Sequence, residues 1–181
     1  MANRVPFDDR GNENISIDDI SPLLLKDYLT KIDSRLAKAN FATDIETILD
    51  QMQLYDGPKE KRIIKNVAAM MFSEHPEKFF PTTQVDIVVF PKGREVDPEN
   101  FIEVPPIKGP VPMMIRNSLE YLRTNIIKER ITKPTDDERS LKVFNYPFQA
   151  LEEAVVNALY HRDYKEREPV EITIEPDRIS I

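Results

Sequence analysis

Fifteen prolines against four glycines set the terms on which this chain can fold. Each proline fixes its own φ and removes a backbone donor, so it opens or closes a helix and stays out of a sheet centre. At this density the prolines divide the chain into short elements. The glycines, Gly11, Gly57, Gly93 and Gly109, stand far apart. A phosphate cradle of backbone N–H groups needs glycines clustered at a strand-to-helix turn, and no such cluster exists here. If a nucleotide is involved, this sequence lacks the part that would hold its phosphates.

Between the prolines the apolar periodicity defines the elements. Residues 1–17 are polar and read as a linker. Residues 18–80 read as a helical subdomain of three helices. The first runs through ISIDDISPLLLKDYLTKIDSRLAKAN, with Pro22 suited to a first turn after Ser21 and Leu25, Tyr28, Leu29, Ile32 and Leu36 as its apolar stripe. The second follows Thr43, places Ile45, Ile48, Leu49 and Met52 on one face, and stops at YDGP. The third spans Lys59 to Ser73, with Ile63, Ile64, Val67, Ala68 and Met71 inward.

Residues 81–181 change character and read as an α/β portion. QVDIVVF (Gln84 to Phe90) and FIEVPPI are strands, and Pro105 and Pro106 keep the second out of a sheet centre. A longer helix starts at Pro110, carrying Met113, Met114, Leu119, Tyr121, Leu122 and Ile126. A polar connection with one or two extended pieces leads to a helix over residues 147–164. A hairpin over residues 170–181 follows, turning at Pro176-Asp177. The expected class is α+β, a helical part followed by helices packed on a small mixed or antiparallel sheet. The chain stops inside a strand, which reads as a truncated end.

With 40% hydrophobic and 31% charged residues in 181, one ordinary domain or two small ones can bury a core. No apolar run approaches the roughly 18 residues of a membrane span, and MANRVPFDDRGNEN lacks a signal-peptide core. The absence of cysteine excludes disulfides and thiolate metal sites and fits a reducing cytoplasm. A net charge of −7 argues against bulk electrostatic coating of nucleic acid. The densest basic stretches, Lys59 to Arg62 and Lys128 to Lys133, read as solvated helix faces or ends.

The stretch LEEAVVNALYHRDY, from Leu151 to Tyr164, carries the chemistry. On a helix Phe148, Leu151, Val155 and Leu159 share one side, suited to packing on a sheet. Glu153, Asn157 and His161, spaced four apart, form a second stripe roughly opposite. A carboxylate one turn from an amide can orient or deprotonate a water, and the amide oxygen can coordinate magnesium. The same spacing also occurs as an ordinary solvated pair. His75 and His161 are the only histidines and have no paired-ligand spacing. The pairs Asp8-Asp9, Asp18-Asp19 and Asp136-Asp137 fall in polar loops or helix starts, and Asp18 and Asp19 read as capping residues.

The wider stretches YPFQALEEAVVNALYHRDY and PVEITIEPDRISI resemble a bacterial and archaeal family of transcriptional regulators. These carry a Schlafen AlbA-like N-terminal domain and a C-terminal region related to that of the RecG helicase. Their usual pattern is YP, a spacer, REALVNALVHRDY, and a strand pair ending in DRIEI before Asn-Pro-Gly. That region looks like a divergent GHKL ATPase fold, the fold of gyrase and histidine kinases. The segments FDDR and NVAAMMFSEHPEKFFPTTQVDIVVF are similar to the family as well.

The resemblance implies that Glu153 stands at the general-base position and Asn157 at the magnesium position, with His161, Arg162 and Asp163 matching the family's His-Arg-Asp. It implies ATP and magnesium as cofactors of a longer protein, with none held here. DNA would be bound through a domain absent from this chain, with a homodimer as a further expectation. The AlbA-like domain and the glycine-rich boxes after Asn-Pro-Gly have no counterpart in this sequence. Three readings stay open: a regulator coupling nucleotide to DNA binding, an ATPase or helicase-associated enzyme, and a purely structural helix.

Overall fold

The structure, a computed structural model, describes residues 5–41, 43–132 and 141–181. It is α+β, as expected, and divides into two compact units. The first comprises Met1–Thr83 with Lys108–Pro112 and Tyr164–Arg167; the second comprises Gln84–Ile107, Met113–Asp163 and Glu168–Ile181.

In the first unit, helix α1 (Pro22–Lys31) starts behind Ser21 with Pro22 in its opening turn and buries Leu25 and Leu29. It stops ten residues in, short of the expected Asn40. Asp33 takes a left-handed φ of 52°, and the Ser34 hydroxyl accepts the Leu36 N–H at 3.3 Å to begin a 3-10 turn, Arg35–Lys38. Short polar side chains favour such local bonds over helix continuation. Ile32, read as part of the stripe, is therefore exposed. Helix α2 (Ile45–Gln51) buries Ile48 and Leu49 and ends before YDGP, where Gln53 turns left-handed.

The third predicted helix is half hairpin. Strands β1 (Tyr55–Asp56) and β2 (Ile63–Ile64) pair antiparallel, and only Asn66–Phe72 is helical, as α3. Gly57, with φ of 84°, makes the turn, and the β-branched Ile63-Ile64 pair favours strand over helix. The basic Lys59 to Arg62 run thus lies in the strand connection rather than on a helix.

Residues 5–17 are not a free linker. Gly11 bridges Lys65 in antiparallel fashion, and the Asn12 N–H donates to Ile64 O at 2.8 Å. The buried Asn66 amide donates to Phe7 O at 2.8 Å and accepts from Asn12 Nδ2 at 2.9 Å. A polar sequence is packed here because its backbone groups find partners on β2 and α3. Asp19 caps as expected: its Oδ2 accepts the Ser16 N–H at 2.9 Å and hydroxyl at 2.7 Å. These bonds, the backbone one first, hold its carboxyl below the usual range. Asp136 and Asp137 lie outside the described residues.

In the second unit, β3 (Gln84–Val89), β4 (Ile102–Lys108), β7 (Val170–Ile174) and β8 (Ile179–Ser180) form a sheet in the order β4-β3-β7-β8. It is mixed: β3 runs parallel to β7, with Ile87 opposite Ile172 and Val89 opposite Ile174, and β7-β8 is the expected antiparallel hairpin. The parallel pair requires a long crossover, which contains helices α4 (Val111–Asn125) and α5 (Phe148–His161) and the antiparallel pair β5 (Glu129–Thr132) and β6 (Leu141–Phe144). Val85, Ile87, Ile172 and Ile174 are buried on one face. The prolines of β4 sit at the sheet edge, where a missing donor is tolerated.

Helix α4 buries Met114, Leu119 and Leu122 together with Ser118, whose hydroxyl finds no partner among the described residues. A buried unsatisfied hydroxyl costs about 1–3 kcal/mol, and alanine is the better helix former. Ser118→Ala is expected to raise stability by about 1 kcal/mol, read from urea midpoints.

A carboxylate ties the β3-β4 connection to the β7-β8 turn. Glu175 accepts the Arg94 N–H at 3.0 Å and Arg178 Nε at 2.7 Å. The Arg178 bond, then the Arg94 bond, lowers its pKa from the ordinary 4.5. Because the folded value lies below the unfolded one, the contribution is complete above that ordinary value and is lost as pH falls through the lowered one. Glu175→Gln should therefore flatten the acid limb of the stability profile below pH 4.5 and leave its shape near neutrality unchanged. Denaturation midpoints against pH check this.

Candidate functional site

Helix α5 begins one residue later than expected, with Pro147 as its N-cap, and ends at His161 rather than Tyr164. Its apolar side is as the spacing predicted: Leu151, Val155 and Leu159 are buried. Phe148, expected on that side, is half out of the core at the helix start. Continuing the buried stripe past Leu159 would require apolar residues at positions 162 and 163, where the sequence has Arg162 and Asp163. Burial cannot sustain another turn, so Arg162 leaves the helix with ψ of 137°.

Glu153, Asn157 and His161 are all exposed along the other side. The structure keeps these three together on one face. Arg162 and Asp163 lie beyond the helix, so the His-Arg-Asp run does not extend that stripe. Two further residues belong to the face. Gln149, exposed one turn before Glu153, continues it toward the N-terminus. Tyr160 is 75% exposed and meets the His161 ring edge-on, with centroids 6.2 Å apart. The signal for Tyr160 was available: seven residues after Glu153, it falls about 20° around the helix from it.

The face offers a carboxylate and an amide oxygen one turn apart. Among the described residues no three histidine or carboxylate side chains gather into a metal-binding group. Two oxygens are nevertheless what magnesium takes from a protein when water and substrate phosphates complete its octahedron. Asn157 offers one such oxygen, with the Glu153 carboxylate one turn before it on the same exposed side. His75 instead sits 3.2 Å from Glu77 in the first unit.

Comparisons with known proteins add the fold. No protein-family model matches the chain, and no curated protein matches it. Among solved structures, the chain is similar to the DIP2311 protein from Corynebacterium diphtheriae, with 19% identity and a TM-score of 0.59. The likeness covers 93% of this chain and 31% of that one, so the chain spans about a third of the length of the protein it matches. At this identity the likeness shows a shared fold. Among the described residues no helix is long and apolar enough to cross a membrane.

Proposed function

We propose that the chain is part of a cytoplasmic transcriptional regulator in which magnesium-ATP, bound across the exposed face of α5, biases DNA binding by a separate domain, in a homodimer. The observation that supports it is the division of α5: Leu151, Val155 and Leu159 are committed to the core, while Glu153, Asn157 and His161 stand clear of it. The resemblance of the YP…NALYHRDY stretch to the GHKL-like regulators points the same way. In this reading Asn157 contributes to the magnesium shell, and His161, Arg162 and Asp163 border the nucleotide.

Calorimetric titration of ATP into the protein as it occurs in the cell, with and without magnesium, tests this. Magnesium-dependent binding that is lost in Asn157→Ala is expected. No binding in the wild type would overturn the reading. A second reading, hydrolysis with Glu153 as general base, draws on the exposed carboxylate one turn before Asn157. It requires phosphate release that collapses in Glu153→Gln while ATP binding survives.

A further inference from the structure

A cleft of about 400 Å³ lies wholly within the first unit. Its floor is apolar: Ile15 and Ile64 are buried, and Ile17 and Ile63 are half-buried. Around that floor stand opposite charges from three separate segments. Glu13 comes from the N-terminal stretch, Glu46 from the first turn of α2, and Lys61 and Arg62 from the end of the β1-β2 connection.

Their pairing defines the cleft's chemistry. The Arg62 guanidinium is occupied, holding Asp50 at 3.2 Å while lying 5.4 Å over the Tyr55 ring. Among the described residues Glu13, Glu46 and Lys61 hold no ion pair, although they line the same cleft. Opposite charges kept apart above an isoleucine floor leave room for a molecule that meets both. A simple anion would be repelled by the two glutamates and a simple cation by Lys61 and Arg62. Burial raises the Tyr55 phenol's pKa, so it stays neutral and can donate a hydrogen bond. The volume falls at the small end of ligand sites, about 300–1,000 Å³.

We infer that this cleft binds a small zwitterion with an apolar body, of the leucine or phenylalanine kind. Its carboxylate is drawn to Lys61, its ammonium to Glu13 and Glu46, and its side chain covers the isoleucines.

Amide shifts of the ¹⁵N-labelled chain, followed during titration with L-leucine and L-phenylalanine, test this. Saturable shifts are expected at Tyr55, Gly57 and Ile63. Two leucine analogues that each lack one charge, 4-methylpentanoate and isopentylamine, should bind about tenfold more weakly. Lys61→Gln and Glu46→Gln alter exposed side chains and should each weaken leucine about fivefold or more. The inference is overturned if neither amino acid gives saturable shifts up to about 10 mM. A single-charge analogue that binds as well as leucine overturns it too, as does affinity that survives both substitutions. None of these probes is a nucleotide, so the outcome is independent of the α5 reading.

Discussion

Leu159→Ala is expected to destabilise the second unit by about 3 kcal/mol, within the range of about 2–5 kcal/mol for emptied core leucines. Leu159 is fully buried on α5, so truncation removes its transfer free energy and leaves a cavity that the neighbouring turns fill only in part. Asn157→Ala, two residues earlier on the exposed side, should change stability by no more than about 0.5 kcal/mol. Urea unfolding followed by a probe confined to the second unit separates the two. Leu159→Ala should lower the midpoint at constant m-value, while Asn157→Ala leaves it in place. The contrast carries the division of α5 into a buried and an exposed side. Equal effects would mean that the sides were misassigned, and the magnesium-ATP proposal would lose its support.

Helix α5 was legible because one pattern served the whole element. Leu151, Val155 and Leu159 repeat at helical spacing, and the period persists over three turns. Strands β3 and β7 were legible for a similar reason, as short β-branched runs closed by prolines. Their parallel pairing was not, because neither strand's own sequence records which edge it meets. The misreadings share a different cause. The stretch from Lys59 to Ser73 carries apolar residues at spacings compatible with a helix, yet Gly57's backbone conformation and the strand-like bond from Asn12 to Ile64 commit its first part to a hairpin. The break after Lys31 depends on Asp33 adopting a left-handed φ, which a polar residue permits without announcing it. Residues 5–17 looked like a linker because most of their side chains are polar and their bonds to β2 and α3 are made by backbone and asparagine amides, so the isolated Phe7, which meets Phe80 edge-on, and the buried Ile15 form no periodic pattern. On the candidate site, Glu153, Asn157 and His161 were visible from spacing. Tyr160 was not, because it falls outside that four-residue spacing.

Gly57→Ala should be the most damaging small substitution in the first unit, costing about 2–3 kcal/mol. Gly57 has φ of 84°, and an added Cβ would sit 2.6 Å from the Lys61 carbonyl oxygen, a backbone atom that cannot rotate away. The turn would have to open. It is held by the Lys61 N–H on Pro58 O at 2.9 Å and by Asp56, whose carboxylate accepts the Gly57 N–H at 2.8 Å and the Gly11 N–H at 3.0 Å. Opening it therefore loosens both the hairpin and the N-terminal stretch bonded to it. A positive φ is not enough for such an effect. Gln53, with φ of 58°, already carries a side chain, and Gln53→Gly trades relief of left-handed strain against glycine's greater unfolded-state entropy, for a net change under about 1 kcal/mol. Thermal unfolding of both variants, with cross-strand contacts between Tyr55 and Ile64 read by NMR, distinguishes a clash from simple strain. Gly57→Ala should lower the melting temperature and weaken those contacts, while Gln53→Gly preserves them. Because the displaced segment carries Lys61 and Arg62, Gly57→Ala should also reduce leucine binding in the cleft. A variant that kept both the hairpin contacts and wild-type stability would show that the Gly57 turn has more room than its backbone geometry allows.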